Sequence, residues 1–354
     1  MGRTEKNLQQ QLSWNARKTH SIRWILIPLM ILLVATLVIG VVVGPVSIPI
    51  REVFSYLLGH KAAIGESGYI QHLIISQIRL PRVLLGLLVG CALGISGGTM
   101  QGVFRNPLAS PYVVGIASGA STGASLVILL NLRGVAFLPL GAFIGGSLAV
   151  GIVYQLARQR DRRTSVYTLI LAGVAVGALF SAITSFLIFL SAGTDRMTDV
   201  VFWTMGGLGR ANWTYLCVLA PIVAIGSLLL IAFSRDLNAL AMGEEGAFHL
   251  GINPEKSKRL MLGVATLVTS SAVGFAGTIG FVGLIIPHIM RLIMGPDHRF
   301  LLPATAVAGA IFLVWADMVA RTVVRPAELP VGIITAFLGA PFFLYLLKTR
   351  KVRM

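Results

Sequence analysis

Charged positions along this chain gather in knots, and between the knots lie long stretches with no charge at all. A helix needs about 20 mostly apolar residues to cross a bilayer core. Ten segments fit that description, near 24–44, 83–104, 112–130, 134–157, 166–190, 213–233, 259–279, 281–294, 301–320 and 329–347. The eighth is short, and across Gly280 it could merge with the seventh in a two-helix hairpin. The pattern predicts an all-α, polytopic membrane protein of about ten transmembrane helices. One membrane domain spans 24–347, after a polar segment 1–23 and before a tail 348–354, and no polar region is large enough for a second folded domain.

Glycine refines the packing. Gly86, Gly90, Gly94, Gly98 and Gly102 recur every four residues in the second segment, and Gly115, Gly119 and Gly123 do so in the third. Residues four apart share a helix face. A face without side chains lets a neighbouring backbone approach closely, so that dispersion holds helices together in lipid. These glycines therefore predict packing seams rather than an active site. Prolines inside or beside the segments, among them Pro107, Pro221, Pro287, Pro303 and Pro341, mark kinks or breaks. Such irregular backbone is tolerated at membrane depth where it is buried or lines a cavity.

Composition narrows the function. Charged residues are 12% of the chain, about half the ordinary share. The net charge of +16 belongs to loops and headgroup contacts rather than nucleic acid, because no soluble domain could carry a basic binding surface. With the N-terminus placed inside and sides alternating, 20 of the 29 Lys and Arg fall inside, as the positive-inside rule requires. Both termini are then cytoplasmic. The outer exceptions include Arg79 and Arg82 in IRLPR, and Arg321 and Arg325 at another helix mouth. Cys91 and Cys217 lie in apolar runs without metal-ligand spacing, and no metal site is expected.

No G-x-x-x-x-G-K-[ST] phosphate loop and no H-E-x-x-H motif is present. Acidic residues within the segments are nearly missing, Asp317 being the main one. Proton-driven carriers place ionisable groups along their pathway, so this scarcity disfavours a self-powered carrier. The longest inside connection, 234–259, has a broken apolar pattern (Leu237, Leu240, Ala241, Ala247, Phe248, Leu250) among Glu244, Glu245 and Glu255. Short helices interrupted at Gly243 and Gly251 satisfy it. Such an amphipathic element either lies on the membrane or docks in a partner's groove.

Several longer motifs then occur in order: IRLPR (78–82), QGVFRNPLASP (101–111), LNALAMGEEGAFHLGIN (237–253), GFVGLIIPHIMR (280–291), GPDHR (295–299), ADMVARTVVRPAELPVG (316–332) and FLGAPFF (337–343). Over about residues 20–350 the chain resembles the FecCD family of ABC importer permeases, which move ferric siderophores, haem and cobalamin. The resemblance implies a type II ABC importer permease fold in the cytoplasmic membrane, with the second to fifth and seventh to tenth helices as inverted repeats. It implies two permease subunits, identical or paralogous, around a pathway lined by the fifth and tenth helices. Two ATPase subunits carrying ATP and Mg would dock inside, and an extracytoplasmic binding protein would deliver a ferric siderophore, iron-hydroxamate first among candidates.

Residue by residue, the resemblance implies that Arg79, Arg82, Arg321 and, less directly, Arg325 face the binding protein and pair with its acidic residues. It implies that 237–253 holds the coupling helices, with Leu240, Gly243, Glu244, Glu245, Ala247, Leu250 and Gly251 at the ATPase contact. Gly243 would make the sharp turn, and the two glutamates would be paired with the ATPase or solvated. Arg105, Asn106 and Pro107 suit a helix stop and restart, and His288 and Arg291 read as structural.

Overall fold

A computed structural model describes residues 25–57, 66–158, 164–324 and 326–350. The basic segment 1–24, Lys61, Arg160, Arg162, Arg163, Arg325 and the last four residues lie outside the described residues. Seven helices are long and apolar enough to cross a membrane, and three shorter apolar helices accompany them. Together they match the ten expected segments in order.

In chain order the helices are α1 (Ile25–Val42), α2 (Ile50–Leu57), α3 (Glu66–Leu73), α4 (Leu80–Val103), α5 (Ile116–Leu129), α6 (Phe137–Ala157), α7 (Val166–Leu190) and α8 (Asp195–Met205). They continue with α9 (Trp213–Ala232), α10 (Ser234–Ala241), α11 (Glu244–His249), α12 (Pro254–Ala276), α13 (Val282–Met294), α14 (His298–Ala320) and α15 (Val331–Arg350).

Local chemistry sets the helix starts. Ser165, Asn212, Asn253 and Asp297 each accept a hydrogen bond from a first-turn amide, of Thr168, Tyr215, Lys256 and Arg299. Such caps satisfy donors that have no partner within the helix. α3 runs through a π-helical turn, Ile74–Arg79, into α4, so one apolar span covers 36 residues, Gly68–Val103. α2, α3 and α8 have no counterpart among the expected segments. In α8, Asp195, Arg196 and Asp199 interrupt the apolar run, yet Val200 and Trp203 are buried.

The helix contacts of α4–α7 parallel those of α12–α15. α4 packs along α14 as α12 packs along α6; α5 meets α6 and α7 as α13 meets α14 and α15. Glycine makes the tightest seams. A Cβ at Gly90 would lie 2.7 Å from the carbonyl carbon of Gly309, and one at Gly94 3.1 Å from that of Thr305. Gly119 and Gly123 likewise face Gly145 and Gly141 across the α5–α6 seam. Gly86, Gly98 and Gly102 instead meet side chains, of Leu208 and Val314, of Leu302, and of His298 and Leu237. Gly97, outside the four-residue series, lies against the backbone of Gly283 in α13.

Two expectations need correction. Gly115 is not on a helix face: it follows a 3-10 turn, Pro111–Val114, and has φ +83°, a left-handed conformation that glycine adopts without a Cβ penalty. Nor do the seventh and eighth segments merge. Gly277 (φ +70°) and Phe281 (φ +68°) break the chain between α12 and α13.

The two breaks, before α5 and before α13, meet inside the bundle. The buried Tyr112 hydroxyl donates to Ile279 O at 2.9 Å and accepts from Ile279 N at 3.2 Å. Nearby Gln101 donates to Leu284 O at 3.0 Å. Side chains thus supply the bonds that irregular backbone lacks where no water can.

Candidate translocation and coupling surfaces

Three regions hold the residues singled out from the sequence. At one end of the bundle lie the arginines. Arg79, Arg82 and Arg321 are 2%, 6% and 1% exposed, and all three guanidiniums are engaged within the chain. Arg79 donates to Val41 O (3.0 Å), Val42 O (2.7 Å) and Val46 O. Arg321 donates to Gly40 O at 2.8 Å. These carbonyls belong to the last turn of α1 and the loop after it. A helix C-terminus leaves four carbonyls without partners and carries partial negative charge, so cations satisfy both needs there. Arg82 forks onto Asp317 (Nε at 3.0 and 3.1 Å, Nη2 at 2.8 Å) and reaches the half-exposed Glu328 at 2.7 Å. Arg321 Nε lies 3.4 Å from Asp317. Asp317 is therefore the pivot of a buried ion cluster, not a group facing a pathway. In this structure the three arginines join α1, α4 and α14 rather than standing outward, and Arg325 lies outside the described residues.

At the other end α10 and α11 form a foot. Gly243 (φ +118°) makes the turn between them, and Gly251 (φ +80°) turns the chain toward α12. Leu240 and Ala247, expected on a contact surface, are buried in the apolar core beside Leu237 and Met261. The exposed apolar side chains are Met242 (76%), Phe248 (69%) and Leu250 (62%). In the six-residue α11 the core-facing turn takes the small Ala247 and leaves the larger Phe248 outward. Glu245 and Gly251 lie on this surface too. Glu244 is half-exposed and already engaged within the chain. It pairs with Arg105 at 3.5 Å and Lys258 at 3.3 Å.

Thr164, Glu255 and Lys258, which hold the foot, belong to none of the motifs. Lys258, 3% exposed, also pairs with Glu255 and donates to Thr164 O at 3.2 Å. Glu255 accepts from Thr164 N and Oγ1, both at 3.0 Å. α10 is clamped separately. Asn238 donates to Asp297 at 2.7 Å and accepts from His298 N at 2.9 Å, and Ser257 donates to Asp236 at 2.6 Å. Hydrogen bonds from Arg299, then from Asn238, outweigh partial burial and hold the Asp297 carboxyl at about 2, so it stays charged. Acidic and amide residues scattered over 60 positions were the only signal, and their pairing is a tertiary fact.

The third region is an open face. α7 buries Leu169, Val176 and Leu187 but leaves Leu171, Val174, Leu179 and Phe186 exposed. α15 likewise exposes Phe337, Leu338 and Leu344. No charged residue occurs in α7, nor in α15 before Lys348. α8 links the two: Gly332, at the start of α15, lies against the backbone of Met205. Among the described residues, no group of three or more His, Cys, Asp or Glu is placed to hold a metal ion.

The FecCD transport family model matches residues 31–349. The chain belongs to the FecCD transport family. It is 44% identical over 280 residues to the cobalamin import system permease protein BtuC of Halobacterium salinarum, covering 79% of this chain and 74% of that one. It is 38% identical over 313 residues to the Fe(3+)-citrate import system permease protein YfmD of Bacillus subtilis, covering 83% and 91%. Among solved structures it is similar to an inward-facing metal-chelate type ABC transporter, with TM-score 0.79, 33% identity, and 92% and 99% of the two chains covered. This FecCD chain is thus an ABC importer permease, a multi-pass membrane subunit of a kind that works with ATPase and permease partners.

Proposed function

We propose that this chain is one of two permease subunits of an ATP-driven importer that carries a bulky metal chelate across the cytoplasmic membrane by alternating access. The α10–α11 foot and both termini would lie in the cytoplasm. The observation that carries the reading is the exposed apolar trio of the foot, Met242, Phe248 and Leu250, together with the exposed, uncharged faces of α7 and α15. A knob of this kind suits a groove in a partner, here an ATPase subunit that holds ATP and Mg. An uncharged wall passes a bulky ligand without trapping it. The second permease subunit would close the open faces into a pathway, and membrane lipid would cover the rest.

An extracytoplasmic binding protein would dock at the arginine end. Three guanidiniums against two carboxylates leave this cluster net positive, and such a field guides an acidic partner into register more than it adds affinity. The burial of Arg79, Arg82 and Arg321 favours this field over direct pairing. A ferric siderophore such as iron-hydroxamate is the ligand we propose, and the iron-citrate relative supports it. Cobalamin is the second reading, favoured by the relative at 44% identity.

The test is uptake by the permease reconstituted with its own ATPase and binding protein, offering iron-hydroxamate, iron-citrate, haem and cobalamin in parallel. A catalytically dead ATPase should abolish uptake of whichever ligand is carried. Uptake that survives it would refute the ABC mechanism. Transport of cobalamin alone would replace the siderophore assignment.

A further inference from the structure

The polar contacts at the foot form an unbroken chain from the coupling helix to a pathway helix. Glu244 stands in the first turn of α11. It pairs with Lys258, on the first turns of α12. Lys258 binds both Glu255 and the carbonyl of Thr164. Glu255 takes the amide and the hydroxyl of the same Thr164. Thr164 is buried, and the next residue, Ser165, caps α7. Three links therefore separate the foot from the N-terminus of the helix whose other face is open and uncharged. A parallel link ties Glu244 to Arg105, just past the end of α4.

We propose that Lys258 and Glu255 are positioning residues that transmit displacement of α11 to the start of α7, making the foot and the pathway wall one mechanical unit. The inference rests on the importer reading. Its physical basis is that a buried cation with several fixed acceptors cannot let one go without loss, whereas an exposed pair can. Lys258 has its ammonium shielded from water and faces Glu244, Glu255 and the Thr164 carbonyl at once. Apolar packing alone would let α11 slide; a shared ammonium makes α11 and α7 move together. Coupling of this kind needs an element whose position both sites bias.

The experiment compares Lys258→Met, Lys258→Arg and Glu244→Gln with wild type in the full complex, reading ATP hydrolysis and chelate uptake in the same vesicles. For Lys258→Met, hydrolysis should stay within about twofold of wild type while uptake per ATP falls about tenfold, the range of an ordinary coupling energy. Lys258→Arg should restore most of it. Size-exclusion of the complex reports whether Lys258→Met assembles. If it does not, Glu244→Gln decides, since it weakens the link at a half-exposed residue and should lower uptake per ATP severalfold. Uptake per ATP equal to wild type, or uptake and hydrolysis falling in the same proportion, overturns the inference. Wild-type uptake that continues with ATP withheld overturns the importer reading instead.

Discussion

Replacing Gly90 by Ala asks how closely α4 and α14 truly approach. The new Cβ would stand 2.7 Å from the carbonyl carbon of Gly309 and 2.8 Å from the Cα of Ala310, closer still to the Gly309 oxygen. Ordinary contact begins near 3.4 Å, so the two backbones must part by about 0.7 Å or more. Both neighbours are backbone, so no side chain can rotate away. A gap of 0.5–1 Å forfeits roughly a quarter to a half of each dispersion contact along the seam. Overpacking of this kind costs about 1–3 kcal/mol. Purified permease in detergent should then unfold roughly 2–6 °C lower at a fixed scan rate. Two controls bracket the result. Gly98→Ala meets the flexible end of Leu302 at 3.0 Å and should cost less. Gly263→Ala, with nothing within 4 Å, should be neutral or gain about 0.4–1 kcal/mol through the unfolded chain. If Gly90→Ala proves as stable as Gly263→Ala, the close-packed seam is wrong.

Asp317→Asn leaves Arg82 and Arg321 buried without their shared carboxylate, and should destabilise by about 3–5 kcal/mol in thermal unfolding. Glu328→Gln, at a half-exposed group, should cost less than about 1 kcal/mol in the same assay. Gly243→Ala forces a side chain onto φ +118° in open space, so its cost of about 1–3 kcal/mol is backbone strain; hydrogen exchange should rise in α10 and α11 while the global transition stays put. Asp297 titrates at about 2 when folded against an ordinary 3.8, so its contribution is present above pH 3.8 and is lost as pH falls toward 2. The stability gap between wild type and Asp297→Asn should be constant above about pH 5 and close below about pH 4.

The spans were readable because lipid demands long uncharged runs, and the charge knots between them mark their ends. The glycine series was readable for a similar reason, since four-residue spacing has one meaning on a helix. Gly115 escaped because spacing says nothing of φ. The arginines were harder. From sequence, Arg79 and Arg82 stand beside Pro81 at a helix mouth, where solvent, headgroup or partner would each account for them. Only the fold brings the end of α1 beneath Arg79 and places Asp317, 235 residues away, in the fork of Arg82. The foot was expected as two short helices with a glycine turn, and it is. Which of its faces looks inward depends on where α12 and the core lie, and so Leu240 and Ala247, expected at the contact, are buried while Met242 and Phe248 are exposed. Lys258 gave no signal, being one basic residue among several near the start of α12.

The attachment of α1 bears on how the protein is made. Little of α1 is buried, and what fixes it comes from both ends of the chain: Arg79 early, then Trp315, which donates to Thr36, and Arg321, which donates to Gly40 from 281 residues downstream. At ~5–20 residues per second, roughly 15–60 s of synthesis separate the release of α1 from the arrival of its last partners. During that interval the carbonyls at its end have Arg79 but not Arg321, and α1, made early, is among the last helices to be locked in place.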